Sequence, residues 1–455
     1  MSTLLPQAAE EFQWQPQPQA AHVINEVLQE LLAQSSTLAE FSQRLRIETG
    51  TRLVDWIDHL RMQADDTLAE DLIESGFTGK LSEWGQIFSH ASGLFPRVIV
   101  SNDPRQVLAI KVDRVEEAAA AWPGGCEAAV TGSPASSIRF VTLHEDAENR
   151  FALEAWERHG ARGFAAEEEP AVAPQLLAQH AAAFAARQRA FDNPAAGFAH
   201  AQGLIRAALD DLGVHRTCDL FFFAERDYWC GRNEAAQMQK RRQDALGLGW
   251  GNHDHHTYRS SRTCFGDLIE TLELLGFRCR ERFYAGREAG WGAQVIEQPT
   301  AGVVIFADVD LSPEEVADDF AHGALPPRDD YGTVGLWCAL HGEAFLQAGM
   351  HHLECQFDFD AAREQLAAAG VECMPPFTDF PFLKQCFTVG ETWQVDSQRL
   401  EPLASAGKIT PEQAERFATT GALGSHLEIL ERNDGYKGFN QTGISDIIQR
   451  TDPRG

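Results

Sequence analysis

The sequence predicts an α+β fold in which two βαβββ units pair into an incomplete barrel, preceded by a helix-rich region. Three observations carry this. After residue 252 the chain breaks into short apolar runs punctuated by Gly and Pro, the signature of strands. The order strand, helix, strand, strand, strand occurs at about 253–310 and recurs at about 350–432. The residues before it place apolar side chains mostly at helical spacing.

Taken in order, residues 1–22 are rich in Gln, Pro and Ala and read as a flexible tail. From 23 to about 75 the pattern is helical: Val23, Val27, Leu31 and Leu32 repeat at helix spacing, as do Leu53, Trp56, Ile57 and Leu60. Within 96–145, PRVIVS, QVLAIKV and IRFVTL read as strands and VEEAAAAW as a helix, a small α/β unit with no catalytic motif. Residues 164–213 are Ala-rich and helical, with a turn at Asp192-Asn193-Pro194, and the helical pattern continues through Glu234 to Leu246. The Gly-rich stretch GLGWGN (247–252) ends it. The chain therefore divides into a tail (1–22), a helix-rich α/β region of open role (23–213) and a region holding the paired units (214–455).

In the first unit HHTYRSS is a strand. Phe265, Leu268, Ile269, Leu272 and Leu275 mark a helix stopping at Gly276, and FRCRERFYA, GAQVIEQ and GVVIFADVDL are strands. In the second, HHLECQF is a strand, and Phe359, Ala362, Leu366 and Ala369 mark a helix ending at Gly370. VECMPPF, QCFTVGETWQV and SHLEILE follow as strands, and SPEEVADDFAHG and TPEQAERFATTG are helical insertions. The duplication is one of element order, since the two halves share little identity.

Composition narrows the function classes. Hydrophobic residues make up 44% and charged residues 23%, so a packed core is expected. A net charge of -29 repels phosphate backbones and argues against nucleic acid; the short run Lys240-Arg241-Arg242 reads as a solvated helix face. The start MSTLLPQAAEEFQW has neither a basic region nor an apolar stretch, so no signal peptide is expected. No run reaches the roughly 18 apolar residues a spanning helix needs, so no membrane partner is expected. Nine cysteines with no CxxC pair fit reduced thiols and a cytoplasmic location.

Three clusters could carry chemistry: Asn252-His253-Asp254-His255-His256, Met350-His351-His352-Leu353-Glu354, and His426-Leu427-Glu428-Ile429-Leu430. Strand alternation puts His253 and His255 on one face and His256 on the other, and sets Glu428 opposite Leu427 and Ile429. A single His pair or a lone strand Glu is ordinarily surface or core. The joint pattern is a His on the first strand of each unit and a Glu on the last. Two imidazoles and a carboxylate form the facial set of non-haem Fe(II) sites, which leaves coordination positions open. Two other readings stay open: a Lewis-acid isomerase or hydrolase on another divalent metal, and a non-catalytic protein that sequesters a small molecule.

DHHTYRSS, the apolar helix ending LLGF and the following RERF resemble the first metal strand of the D-2-hydroxyglutarate synthase family. That family, also called 2-oxoadipate dioxygenase/decarboxylase, is of the vicinal-oxygen-chelate type. Its Asp-His-x-x-x-Arg arrangement matches Asp254, His255 and Arg259. HHL at 351–353 resembles its Asn-His-x-Thr, with His351 where Asn usually stands. LKQCFTVGE resembles its Gln-rich strand near Gln385 and Thr388. SHLEILER resembles its final ligand strand, and that of 4-hydroxyphenylpyruvate dioxygenase. GYKGFNQTGISDII is similar to the closing loop and helix of both groups.

The resemblance covers about 215–450 and implies Fe(II) held by His255, His352 and Glu428. It implies a small-molecule 2-oxo acid and O2 as reactants, with release of carbon dioxide. Arg259, four residues after His255, is expected to clamp a substrate carboxylate as a bidentate pair; the bland alternative is an ion pair with Glu354 or Asp308. Gln385 is a candidate donor to substrate or oxygen, or an edge-strand amide. Phe439 is a candidate pocket wall, or a core aromatic. His253 and His256 either orient a ligand or face solvent.

Overall fold

The computed structural model describes residues 14–440 and 451–454, except 127, 147–149 and 167–171. The expected tail up to residue 13, and most of the expected closing helix (441–450), lie outside these. The rest of the tail is shorter than expected, because a helix starts at Pro18 (Pro18–Gln34) and buries Ala20, Ile24, Val27 and Leu31. Among the described residues no helix is long and apolar enough to cross a membrane.

Two mixed sheets organise the chain. The first contains β1 (Ile57–Gln63), β2 (Phe77–Ser82), β3 (Gly85–His90), β4 (Arg97–Ser101), β5 (Gln106–Lys111), β6 (Ile138–Asp146) and β7 (Phe151–Arg158). Its order is β2-β3-β4-β1-β5-β7-β6. The second contains β8 (His253–Arg259), β9 (Arg278–Tyr284), β10 (Trp291–Gln298), β11 (Val303–Asp310), β12 (His352–Gln356), β13 (Thr378–Phe380), β14 (Leu383–Phe387) and β16 (Ala422–Arg432), with β15 (Glu391–Trp393) pairing β16 off the main path. Its order is β13-β14-β16-β12-β8-β11-β10-β9, an open sheet and not a closed barrel.

The second sheet is the expected paired structure. β8, the helix Phe265–Leu274 and β9–β11 form one βαβββ unit, with β8 parallel to β11. β12, the helix Phe359–Ala368, β13, β14 and β16 form the other, with β12 parallel to β16. The units join through β8 and β12, which run antiparallel. VECMPPF supplies no strand, only an isolated bridge from Cys373 to Thr388.

The region expected to be helix-rich also carries sheet. It holds long helices, Pro194–Leu212 and Val214–Cys230 among them. Yet β1 occupies residues whose spacing suggested a helix. Ile57 ends a single tight turn (Leu53–Trp56), and the segment then pairs on both sides, parallel to β4 and antiparallel to β5. Leu60 and Met62 alternate into the core, so pairing on two edges overrides the local period.

The first sheet repeats the topology of the second. β1, the helix Asp66–Glu74 and β2–β4 make one unit. β5, the helix Val115–Ala121, a bridge from Thr131 to Phe140, β6 and β7 make another, with β5 parallel to β7.

One face of the second sheet is covered by helices. Phe221 and Phe222, Leu268 and Leu272, and Ala362 and Leu366 pack on Tyr258, Ile305, Leu353, Leu427 and Ile429. Burying each large apolar side chain contributes roughly 1.5–3 kcal/mol. The opposite face carries buried polar side chains beside an aromatic cluster that includes Phe283, Trp291, Phe306 and Trp337.

Candidate metal centre

That opposite face gathers the predicted residues. His255, His352 and Glu428 are buried, and one ligand atom from each lies within 4.8 Å of the others. The parallel register of β12 and β16 sets Glu354 beside Glu428, and the antiparallel register sets Glu354 against His255. His352 Nε2 lies 2.9 Å from Glu428 Oε2, and His255 Nε2 lies 2.8 Å from Glu354 Oε2. The surrounding cavity is about 70 Å³ and is walled by Phe283, Trp291, Phe306, Phe387 and Phe439.

Alternation fails at the start of β8. One residue, Cys355, follows Glu354 where β8 steps from His255 to His253, so β8 bulges. His253 therefore does not share the face of His255. Its ring meets that of His256 at 5.4 Å, and it lines a different cavity. Neither His253 nor His256 faces solvent freely: His253 Nδ1 lies 2.9 Å from the Trp250 carbonyl and His256 Nε2 3.4 Å from Arg226.

The bulge also places Asp254. Its carboxylate accepts both Arg432 Nε and Nη2 at 2.9 Å, accepts Gln356 Nε2 at 2.9 Å, and stands 3.3 Å from His255 Nδ1. This is the arrangement that orients a metal-binding imidazole. Burial opposes ionisation of Asp254, but Arg432 and His255 hold its pKa well below the carboxylate range.

Electrostatics separate the two imidazoles. Burial disfavours charge on His255, yet Glu354 and Asp254 raise its pKa. Burial pushes His352 and His351 well down, so both are neutral, the state a ligand requires. His352 Nδ1 and His351 Nδ1 are 2.8 Å apart. Burial, reinforced by Glu354, lifts Glu428 well above its ordinary value. Two buried carboxylates and two imidazoles in contact are what a divalent cation would neutralise.

Arg259 faces the same cavity. Asp308 Oδ2 is 4.0 Å from its Nε, and its guanidinium lies 5.6 Å from the Trp337 ring centre. Its Nε and Nη1 have no hydrogen-bond partner among the described residues. Of the two bland partners, Asp308 is the neighbour and Glu354 is not. Burial raises Asp308 to about 7, with Arg259 pulling the other way. Gln385 Nε2 donates to Glu428 Oε1 at 3.2 Å and to Glu354 Oε1 at 3.4 Å. Phe439 stands edge-on to His255 at 5.1 Å and to Phe306 at 4.5 Å. Thr388 is not in the cavity wall: its hydroxyl accepts the Leu427 N–H at 3.0 Å.

Sequence reasoning passed over two residues. Glu354 is two positions after His352 on one strand, hence on its face, a signal that was available. Phe306 was not legible. Register sets it beside Thr257, two residues past His255, just as Glu428 lies beside Glu354, two residues past His352. The two-fold relation between units thus places an aromatic ring where its counterpart is a carboxylate. Three candidate ligands and an apolar wall result, in place of four ligands.

No family model and no curated protein matches the chain. Among solved structures, a protein described as a hydrolase from Shewanella frigidimarina is 15% identical, with 48% of this chain and 96% of that chain covered and a TM-score of 0.34. A glyoxalase superfamily protein from Ralstonia eutropha is 13% identical, covering 57% of this chain and 96% of that one, with a TM-score of 0.33. A mutant of 4-hydroxymandelate synthase from Streptomyces coelicolor is 14% identical over 88% of this chain and 98% of its own, with a TM-score of 0.29. Strand order and register make the fold of this chain a mixed α+β one built from paired βαβββ units.

Proposed function

We propose that the chain is a non-haem Fe(II) dioxygenase that decarboxylates a 2-oxo acid of the 2-oxoadipate kind. The observation that carries the reading is the meeting of His255, His352 and Glu428, remote in sequence, in one buried cavity. In the overall reaction the 2-oxo acid's own carboxylate leaves as carbon dioxide, and both atoms of dioxygen end in the hydroxy acid, one in its new carboxylate and one in its hydroxyl. Bound iron would supply the oxygen-activating chemistry that no side chain provides.

The chain's own residues have distinct tasks. Asp254 fixes the His255 ring so that Nε2 faces the centre. His351 fixes the His352 ring in the same way. Gln385 donates to Glu428 and sets its orientation. Arg259, whose buried Nε and Nη1 have no hydrogen-bond partner among the described residues, binds the substrate's far carboxylate, which a planar fork suits. Phe306, Phe387 and Phe439 exclude water, strengthening every polar contact within.

The decisive experiment is anaerobic Fe(II) reconstitution followed by oxygen uptake with a panel of 2-oxo acids, 2-oxoadipate first. Stoichiometric iron and substrate-dependent uptake with carbon dioxide release are expected. A second reading is favoured by Glu354, a buried carboxylate beside the ligand set and suited to moving a proton in a Lewis-acid isomerase. Turnover without oxygen on another divalent metal would select it.

A further inference from the structure

We propose that the cavity between the two sheets is a second ligand site, built for a small organic polyanion and separate from the metal centre. The cavity holds about 820 Å³ and is lined from both sheets. Sites for small molecules run to roughly 300–1,000 Å³.

The topology of the first sheet explains its charge. β1 and β4 begin at the edge where β5 and β7 end, because β5 runs antiparallel to β1 and parallel to β7. Arg97, Lys111 and Arg158 therefore come to one edge. Asp58 answers Arg158 through two bonds, of 2.6 and 2.8 Å. The other two have no such answer. Arg97 donates to the Arg162 carbonyl and stacks 4.2 Å over Phe164. The Lys111 amine has no hydrogen bond or ion pair among the described residues.

Three more cations on the lining share this condition. Arg162 donates to the Pro299 carbonyl at 3.2 Å, Arg226 reaches only His256, and Lys437 sits 4.5 Å over the Trp14 ring. Against these five, the lining carboxylates outside ion pairs are Asp113 and Asp434. Asp113 is engaged by the Trp250 N–H at 2.9 Å.

Charges taken out of bulk water without counter-charges are costly, which applies fully to the buried Arg226 and in part to the half-buried Arg97, Lys111 and Lys437, while Arg162 stays exposed at the rim. Burial draws the Lys111 amine below its ordinary pKa, and burial with Arg158 beside it lowers Arg97 to about 10. In a chain whose net charge is -29, a positive excess collected in one cavity is not a reflection of composition. A ligand carrying two or more oxyanionic groups supplies the missing charge, and Trp156, Phe223 and Phe95 offer its carbon skeleton apolar surface. Phosphate and carboxylate esters or acids share this chemistry. Phe439 lies on the walls of both cavities and divides them.

The test is calorimetric titration of the full chain with pyrophosphate and, separately, with tricarballylate. Lys111→Met and Arg97→Gln are the cavity variants, and Lys240→Met is a control outside the cavity. One site per chain is expected for at least one probe, weakened about tenfold or more by either cavity variant and unchanged in the control. Binding of pyrophosphate alone identifies organic phosphates, of tricarballylate alone polycarboxylates, and of both the shared oxyanion chemistry. Should one variant fail to fold, as read by its thermal unfolding, the other carries the comparison. Absence of binding at millimolar probe, binding that survives in the folded cavity variants, or binding lost on His352→Ala overturns the proposal. The last outcome would move the probe to the metal centre. The result is independent of whether the metal centre holds iron.

Discussion

Asp254→Asn separates a metal-orienting role from a purely structural one. The Asp254 side chain is 7% exposed and that of Arg432 4%, so their bidentate pair is shielded from solvent. Removing the charge from one partner of such a pair leaves the other buried and unanswered, which costs about 3–5 kcal/mol. The same substitution weakens the hold on His255 Nδ1. Loss of a group that orients a metal-bound imidazole lowers metal affinity about 10–100-fold, or about 1.4–2.8 kcal/mol. The two effects are read independently: urea unfolding of the metal-free chain gives the first, and anaerobic equilibrium dialysis against a competing chelator gives the second. Asp254→Asn with Arg432→Met removes the orphaned cation and should recover part of the stability while metal affinity stays low. If the single variant loses stability as expected but binds metal within about twofold of the parent, Asp254 only holds the fold and the metal-orienting argument fails.

Three further outcomes are expected. His255→Ala, His352→Ala and Glu428→Ala should each abolish iron binding while far-ultraviolet circular dichroism stays native; full iron occupancy in any two of them would remove the ligand assignment. Arg259→Lys should raise KM for the 2-oxo acid about tenfold or more with metal content unchanged, because an ammonium does not reproduce two parallel N–H bonds; an unchanged KM counts against the clamp. Glu157 should stabilise the fold in a pH-dependent way. Burial opposes its ionisation, but His159 brings its pKa from 4.5 down to about 2. That depression corresponds to about 3 kcal/mol, fully present above the unfolded value and lost as pH falls through the folded one. The stability gap between the parent and Glu157→Gln should therefore shrink between pH 4.5 and about 2, and a constant gap over that window would contradict the shift.

The helix–strand order of the second sheet was legible because each element carries its own period. The stripe Phe265, Leu268, Ile269 and Leu272 faces the sheet from a helix that stops at Gly276, where φ is 82°. The first sheet was half legible. PRVIVS, QVLAIKV and IRFVTL are continuous apolar runs and became β4, β5 and β6. IDHLRMQ mixes polar and apolar residues in a pattern that fits either period, and only its two neighbouring strands make it β1. That the first sheet repeats the topology of the second is invisible in the residues, since the repeat is one of pairing.

The sequence alone determined which side chains could serve as ligands and which strands carry them. Residue type fixes the donor atom, and strand period fixes the relative face of near neighbours such as His352 and Glu354. The tertiary structure decided which of those faces meet. The register between β8, β12 and β16 brings His255, His352 and Glu428 within reach of one another. A bulge turns His253 away, and Phe306 takes the place of a fourth ligand. Register is set by hydrogen bonds between strands that are remote along the chain, as Glu354 is from both His255 and Glu428. A period of two along one strand holds no information about them.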